Sequence, residues 1–317
     1  MHAVTIVDGN LAWREHPDPE PGHGELLVAV RAAGLNGADM MQRRGLYPAP
    51  PDAPADIPGL ELAGEVIATG PATSRFAVGD AVMAVVSGGG QAALACVHER
   101  VALPIPEGVG WPEAGGFPEV FTTAHDALFT QCGLTIGERV LVHGAAGGVG
   151  IAAVQLAARA GARVVATVRN EELRAEVAEV GGACGIVDVC APDAFADRGP
   201  YDVVLELVGA PNVPGDLAAL ATGGRIAVIG VGAGAHAEIN LLQLMSTRGR
   251  IHGSTLRARP LEAKAVAARA VEHSVLPALA TGALRVPIAA EYPMADAERA
   301  YERFAAGAKF GKVVLVA

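Results

Sequence analysis

The sequence predicts a two-domain α/β protein that combines a β-rich region with a doubly wound parallel sheet. Residues 1–120 contain short segments rich in Val and Ala that are bounded by Gly, Pro or Asp, and such segments are typical of strands. From residue 121 to 257, apolar strands alternate with helices, which favours a parallel sheet covered on both faces. The length of 317 residues is also typical of two domains.

The individual elements follow in chain order. In the β-rich region, strands are predicted over 25–35, 63–70 and 80–86, and five prolines make 47–59 a surface connection. The alternating region begins with a strand that ends near His143, and a helix follows that ends at Gly161. It continues as a strand over 162–168, a helix with an acidic first turn, and two strands ending in glycine. After residue 258 we expect two helices and a last strand, GKVVLVA.

Composition and charge exclude several classes of protein. A net charge of −10 provides no basic field for phosphate, so nucleic-acid binding is not expected. The four cysteines have no paired spacing, which argues against zinc knuckles and disulfides and favours a reduced, cytoplasmic protein. The uncharged run 140–158 is long enough to span a membrane, but its glycines divide it into a strand, a turn and a helix. We therefore expect no membrane segment, and the N-terminus shows no signal peptide.

The sharpest local motif is the glycine-rich stretch HGAAGGVG, which follows a predicted strand and opens a predicted helix. Its spaced glycines allow a tight turn and bring backbone N–H groups close to a pyrophosphate at a helix N-terminus. A glycine-rich turn that binds nothing is the alternative. We expect a dinucleotide site formed by Gly144, Ala145, Gly147, Gly148, Val149 and Gly150.

The end of the next strand indicates which dinucleotide binds. NAD enzymes place a carboxylate there for the ribose hydroxyl, whereas NADP enzymes place an arginine near the 2′-phosphate. Here Arg169 stands at the strand end and Arg174 follows one turn later, so the sequence favours NADPH over NADH. Glu171 and Glu172 either weaken such a site or serve as simple partners of the helix dipole in a first turn, and a solvent-exposed arginine is the alternative for Arg169.

Motifs along nearly the whole chain resemble the medium-chain dehydrogenase/reductases, specifically the zinc-free quinone oxidoreductase or zeta-crystallin-like branch. The motifs occur in the family's order, and they are AGLNGADMMQRRGLYP, IPGLELAGEV, VGDAVMA, PEVFTTAHDAL, HGAAGGVG, YDVVLELVG, GGRIAVIGVG, GSTLRARP and FGKVVL. The resemblance implies a GroES-like domain from residues 1–120 and 258–317, with a Rossmann dinucleotide-binding domain over 121–257. It also implies a homodimer.

The resemblance implies a mechanism without zinc. Zinc-dependent relatives carry Cys where Asn36 stands and His where Leu60 stands, and the four-cysteine structural lobe is missing here. Hydride transfer from NADPH to an activated electrophile would then depend on positioning. The usual Gly-Gly-Tyr-Ala segment reads Gly-Gly-Gln-Ala here, with Gln91 in place of the tyrosine.

By the same resemblance, Asn36 contacts the nicotinamide ribose or amide and Thr123 lies near the cofactor. Tyr47 donates its hydroxyl to a substrate oxygen, with a rim aromatic packed on the proline-rich segment as the alternative. Gly230 and Val231 border the nicotinamide. Lys312, and less directly Arg257, approach the cofactor from the tail, with a simple surface charge as the alternative.

The expected function is NADPH-dependent reduction of a quinone. The same hydride geometry serves the double bond of an enone, an alkenal or an enoyl thioester, so an activated alkene is the alternative substrate. A non-catalytic NADPH-binding sensor is a third hypothesis, and tight binding without turnover would support it.

Overall fold

The computed structural model describes residues 1–317 and divides the chain into two compact units. The first unit contains Met1–Thr122, Leu256–Gly307 and Gly311–Ala317. The second unit contains Thr123–Thr255 and Ala308–Phe310. None of the helices combines the length and the apolar character that crossing a membrane requires.

The strands of the first unit pair antiparallel except for β14 with β15, which are parallel. They are β1 (His2–Val7), β2 (Asn10–Glu15), β3 (Glu25–Gly34), β4 (Glu61–Thr69), β5 (Ala81–Val85), β6 (Leu94–His98), β7 (Ala102–Pro104), β14 (Ile288–Pro293) and β15 (Lys312–Val316). Strands β1 and β2 form a hairpin, in which Asp8 and Gly9 both have positive φ. Such an Asp-Gly turn matches the right-handed twist of the two strands. The larger sheet has the order β14-β15-β3-β4-β5-β7, and β6 also pairs with β3.

Alternation of apolar residues explains which face of β3 contributes to the core. Leu26, Val28 and Val30 point to one face and are buried, as the two-residue period of a strand requires. They belong to a core cluster that also contains Leu62 and Tyr301. The helices of this unit are α1 (Gly37–Arg43), α2 (Trp111–Gly116), α8 (Leu261–Ser274), α9 (Leu276–Ala280) and α10 (Ala297–Ala305), and α3 (Pro118–His125) begins in this unit and ends in the second.

The second unit contains a six-stranded parallel sheet, whose strands are β8 (Arg139–Val142), β9 (Arg163–Thr167), β10 (Val187–Cys190), β11 (Tyr201–Glu206), β12 (Leu220–Val228) and β13 (Arg250–Gly253). Its order is β10-β9-β8-β11-β12-β13, the doubly wound order in which chain direction across the sheet reverses between β8 and β11. The helices are α4 (Gly148–Arg159), α5 (Arg174–Gly182), α6 (Val213–Ala218) and α7 (Leu241–Thr247). A short π-helix covers Asp126–Gln131.

The predicted fold class is confirmed: an antiparallel β-rich unit accompanies a doubly wound parallel sheet. The uncharged run 140–158 consists of a strand, a turn and most of α4. The acidic helix after β9 begins with a 3₁₀ turn over Glu171–Leu173, so α5 starts three residues later than its sequence pattern indicates. The hairpin of β1 and β2 was not predicted, although the Asp-Gly turn is a known hairpin signal.

Candidate functional site

The glycine-rich turn lies where β8 ends and α4 begins. Gly144 adopts φ +63°, which glycine populates without a steric penalty. The Ala145 N–H bonds to the carbonyl of Thr167 at 3.1 Å and the Gly147 N–H to that of Gly144 at 3.0 Å. The first N–H groups of α4, from Gly148 onward, have no acceptor within the helix and form a donor site for an anion.

Gly150 shows why this turn requires small residues. A Cβ atom at this position would lie 2.5 Å from the carbonyl oxygen of Gly144 and 2.6 Å from the Cα of Ala145. Backbone atoms cannot move away as a flexible side chain does, so any larger residue would displace the turn. The first turn of α4 can therefore pack directly against the segment that leaves β8.

The two arginines after β9 have different surroundings. Arg169 is exposed at the end of the strand. Arg174 is half-buried, donates from Nε to the carbonyl of Val168 at 3.2 Å, and lies 3.7 Å from a carboxylate oxygen of Glu171. The guanidinium of Arg174 is thus partly used within the protein, whereas that of Arg169 faces solvent.

Gly230 and Val231 lie just beyond the carboxyl end of β12. The Gly230 N–H bonds to the carbonyl of Glu206 at 3.1 Å, and a Cβ at Gly230 would meet the carbonyl oxygen of Leu207 at 2.3 Å. Val231 is 38% exposed. The predicted residues of the second unit thus lie together at the carboxyl ends of its parallel strands, where doubly wound sheets bind ligands. Thr123 lies in α3 and is half-buried.

In the first unit the structure brings Asn36 and Lys312 together around a third residue, Glu61. The Lys312 ammonium donates to the Leu35 carbonyl at 2.8 Å, to Asn36 Oδ1 at 2.8 Å and to Glu61 Oε1 at 2.6 Å. Asn36 Nδ2 also donates to Glu61 Oε1, at 2.9 Å. The other carboxylate oxygen of Glu61 accepts from the backbone N–H of Glu119 at 2.9 Å. These contacts define the Asn36–Glu61–Lys312 cluster.

Burial changes the interpretation of Lys312. Its side chain is 3% exposed and that of Glu61 is fully buried, so the surface-charge alternative for Lys312 is wrong. An ammonium has three N–H donors, and all three of Lys312 are used inside the cluster. Glu61 was not among the residues predicted from the sequence, because its partnership with Lys312 depends on a contact across 251 residues that no local pattern shows.

Asp39 holds the backbone next to this cluster at two points. Its carboxylate accepts from the backbone N–H of Asn36 at 2.8 Å and from that of Gly59 at 3.2 Å. Complete burial raises the pKa of Asp39 to about 6, against the lowering effect of these N–H groups and of Lys312. Asp39 therefore fixes the backbone on both sides of the Asn36–Glu61–Lys312 cluster.

Tyr47 belongs to a separate contact set with Arg257. The guanidinium carbon of Arg257 lies 5.1 Å from the centre of the Tyr47 ring, and NH1 donates to the Tyr47 carbonyl at 2.9 Å. The same guanidinium bonds to the Ser87 carbonyl at 2.7 Å and to Gln42 Oε1 at 2.6 Å. Arg257 is 4% exposed, so it is not a surface charge either. Desolvation raises the pKa of the half-buried Tyr47 hydroxyl, which stays a neutral donor near pH 7.

Gln91 occupies an interior position. It is fully buried, and its Oε1 accepts from the Tyr301 hydroxyl at 2.9 Å. Its Nε2 has no hydrogen-bond partner within the protein. The residue that departs from the usual tyrosine thus supports the core of the first unit through Tyr301.

Comparison with known proteins gives matches along almost the entire chain. The model of the alcohol dehydrogenase GroES-like domain matches residues 22–132, and that of the zinc-binding dehydrogenase matches residues 148–272. The quinone oxidoreductase of Rattus norvegicus is 31% identical over 307 residues, covering 94% of this chain and 91% of that protein. Polyketide synthase GfsB of Streptomyces halstedii is 38% identical over 211 residues, 65% of this chain but 4% of the synthase.

Solved structures agree with these matches. A mycobacterial protein in complex with NADPH is 28% identical, with a TM-score of 0.86 and complete coverage of both chains. A mycobacterial quinone oxidoreductase is 30% identical, with a TM-score of 0.83 and the same coverage. With its antiparallel unit, its doubly wound unit and its glycine-rich turn, this chain belongs to the quinone oxidoreductase branch of the medium-chain dehydrogenase/reductase superfamily.

Proposed function

We propose that this protein is an NADPH-dependent reductase that transfers hydride to a quinone without a zinc ion. The observation that carries the zinc-free part of the proposal is the buried ammonium of Lys312, which lies 2.8 Å from Asn36 Oδ1. Zinc-dependent relatives carry a ligand at the position of Asn36 and another at that of Leu60. Here Leu60 has no ligand atom, and a cation beside Asn36 would be repelled by Lys312, so these residues do not fit zinc.

The residues of the second unit fit a phosphorylated dinucleotide. The glycine-rich turn and the N-terminus of α4 offer N–H donors to a pyrophosphate. The exposed Arg169 is suited to bidentate contact with a 2′-phosphate, and we propose that Arg174 adds positive charge beside it. The mycobacterial neighbour in complex with NADPH supports this choice.

NADPH supplies the hydride when it is bound, and the side chains named above orient the reactants. The carbonyl oxygen of Asn36 has a second lone pair beyond its bond to Lys312, so it can accept from the ribose or the carboxamide of the cofactor. Tyr47 donates its hydroxyl to the oxygen on which negative charge develops in the acceptor. Gly230 and Val231 border the nicotinamide, and Thr123 lies near the cofactor. Because all donors of Lys312 are used, we propose that it acts by holding Asn36.

Reduction of an activated alkene is the second candidate. The similarity to polyketide synthases, 38% identity to GfsB and 42% identity over 160 residues to erythronolide synthase EryA2, favours an enoyl thioester as the acceptor. The chain spans 4% of the length of each of these synthases. An enone or an alkenal presents the same conjugated carbonyl and would be reduced by the same arrangement.

The test is the loss of reduced-nicotinamide absorbance with NADPH and NADH, in the presence of a simple quinone, an enal or a crotonyl thioester. Faster oxidation of NADPH with the quinone is the expected result. Turnover on the enal or the thioester alone would transfer the assignment to double-bond reduction. Tight NADPH binding without turnover would favour a sensor, and binding of neither nucleotide would refute the proposal. We expect treatment with a metal chelator to leave the activity undiminished. If the chelator removed the activity and Zn²⁺ restored it, the zinc-free mechanism would be contradicted.

A further inference from the structure

A completely buried group of ionisable side chains lies behind the glycine-rich turn. His143, Glu206 and Asp216 all have no exposed surface, and one ligand-type atom from each lies within 4.8 Å of the others. They come from the end of β8, the end of β11 and the middle of α6. We call them the His143–Glu206–Asp216 cluster. None of the functional roles proposed above uses these three side chains.

His143 bonds through both of its ring nitrogens. Nε2 lies 2.7 Å from Asp216 Oδ1, and Nδ1 lies 3.0 Å from the Thr167 hydroxyl. The ring of Phe195 packs against the imidazole edge-to-face with centroids 4.9 Å apart. His143 is the residue before the glycine-rich turn, and its side chain connects the start of that turn with α6 and with the end of β9. At that end of β9, the Thr167 carbonyl also accepts from the Ala145 N–H.

Glu206 fixes a second turn. Its Oε1 accepts from the backbone N–H of Val208 and, at 2.7 Å, from that of Gly209. The Val208 carbonyl in turn accepts from Ala233 at 2.9 Å, which ties the 207–210 turn to the segment containing Gly230 and Val231. The cluster thus links the two segments that we propose to contact the cofactor.

Two oxygen atoms of the cluster are unsatisfied. Glu206 Oε2 and Asp216 Oδ2 are buried and have no hydrogen-bond partner, although Glu206 Oε2 lies only 3.9 Å from His143 Nε2. Buried polar atoms are nearly always paired, because an unpaired one loses its hydration without gaining a hydrogen bond. A proton held by one of the two carboxyl groups would turn one acceptor into a donor and would remove one buried negative charge.

We propose that Glu206 and Asp216 share one proton, and that this bond holds the glycine-rich turn and the 207–210 turn in the geometry that binds the dinucleotide. In this arrangement Glu206 Oε2–H donates to Asp216 Oδ2, while Asp216 Oδ1 keeps its bond to His143. Burial and the neighbouring charge of Asp216 raise the pKa of Glu206, in the direction that retention of the proton requires. These three residues are positioning residues, and the inference rests on the proposed cofactor binding.

The test compares wild-type protein with Glu206→Gln. A glutamine can donate from its amide to Asp216 and still accept from Val208 and Gly209, without any titrating proton. The dissociation constant of NADPH is measured by fluorescence at pH 6 and pH 8.5, and the ratio of wild type to E206Q cancels the titration of the nucleotide. We expect this ratio to rise roughly tenfold at the higher pH, since one unit of pKa coupling corresponds to a factor of ten.

A second readout is independent of any nucleotide. Because the pKa of Glu206 is raised in the folded state, its stabilising contribution is present at low pH and is lost as pH rises through the folded pKa. The thermal midpoint of wild type should therefore fall relative to that of E206Q as pH rises. Glu138→Gln is the matched control. Glu138 lies just before β8 and pairs with Arg225, so its substitution should leave the pH dependence of NADPH binding unchanged.

The outcomes separate the two proposals. If NADPH binds and the ratio to E206Q stays constant with pH, the shared proton is refuted while the proposed function stands. If neither dinucleotide binds, the proposed function fails, and the thermal profile alone decides whether the proton is shared. Stoichiometric zinc in the purified protein that E206Q and His143→Gln lose would also overturn the inference.

Discussion

Lys312 donates to Glu61 at 2.6 Å with both side chains buried, and this ion pair joins β15 to β4 around Asn36. Breaking a buried pair on one side leaves an uncompensated charge, which costs about 3–5 kcal/mol. We therefore expect Lys312→Met to lower the free energy of unfolding by this amount in urea titrations. The double variant K312M/E61M should recover part of the loss, because no charge stays buried. Additive losses would show that the two residues are not coupled.

Removal of the guanidinium of Arg169 should change the choice between dinucleotides. A hydrogen bond to a charged group contributes about 1.5–3 kcal/mol, so Arg169→Ala should weaken NADPH binding by about 10- to 100-fold and leave NADH unchanged. Arg163→Ala is the matched control, because Arg163 is also exposed and lies at the other end of the same strand. Equal losses in both variants would show only a general effect of positive charge.

A methyl group at position 150 should disrupt the glycine-rich turn. The added Cβ would lie 2.5 Å from the Gly144 carbonyl oxygen, so Gly150→Ala should reduce NADPH affinity at least about tenfold, which corresponds to 1.4 kcal/mol. Gly182→Ala is the control, since a Cβ there meets no atom within 4 Å. Both affinities are measured by nucleotide fluorescence, and an unchanged G150A value would remove the turn from the cofactor site.

Loss of the Tyr47 hydroxyl should affect turnover rather than cofactor binding. A neutral hydrogen bond contributes about 0.5–1.5 kcal/mol, so Tyr47→Phe should lower kcat about 2- to 10-fold with the quinone. The ring and its contact with Arg257 are retained in this variant. An unchanged kcat, with NADPH affinity also unchanged, would assign Tyr47 to packing alone.

The pKa of about 6 at Asp39 predicts a pH dependence of stability. The folded-state pKa lies above the ordinary value of 3.8, so the stabilising contribution is complete below about pH 4 and is lost as pH rises through 6. The shift corresponds to about 3 kcal/mol, which Asp39→Asn should remove from the difference between pH 4 and pH 7. Urea titrations of both proteins at the two values test this, and parallel profiles would contradict it.

Local patterns predicted four strands of the second unit, β8, β9, β11 and β12, because each is a short apolar run, whereas β10 and β13 were not predicted. The turn after β8 carries its own glycine spacing, so it was also visible in the sequence. The burial of Lys312 and Arg257 could not be predicted from the sequence, because a buried cation needs partners that lie far away along the chain. The His143–Glu206–Asp216 cluster was missed for the same reason, since its members come from three separate elements.

The pairing of β15 with β3 has a consequence for synthesis on the ribosome. The second unit is nearly contiguous, so most of it has left the ribosome before residues 312–316 are translated at about 5–20 residues per second. Until that moment the larger sheet of the first unit lacks β15, which lies between β14 and β3. Glu61 also lacks its counter-ion Lys312, which lies 251 residues further along the chain. The stretch Ala32–Gly34 of β3 therefore has no partner from β15 until that moment, and an unpaired strand edge of this kind is a template for aggregation.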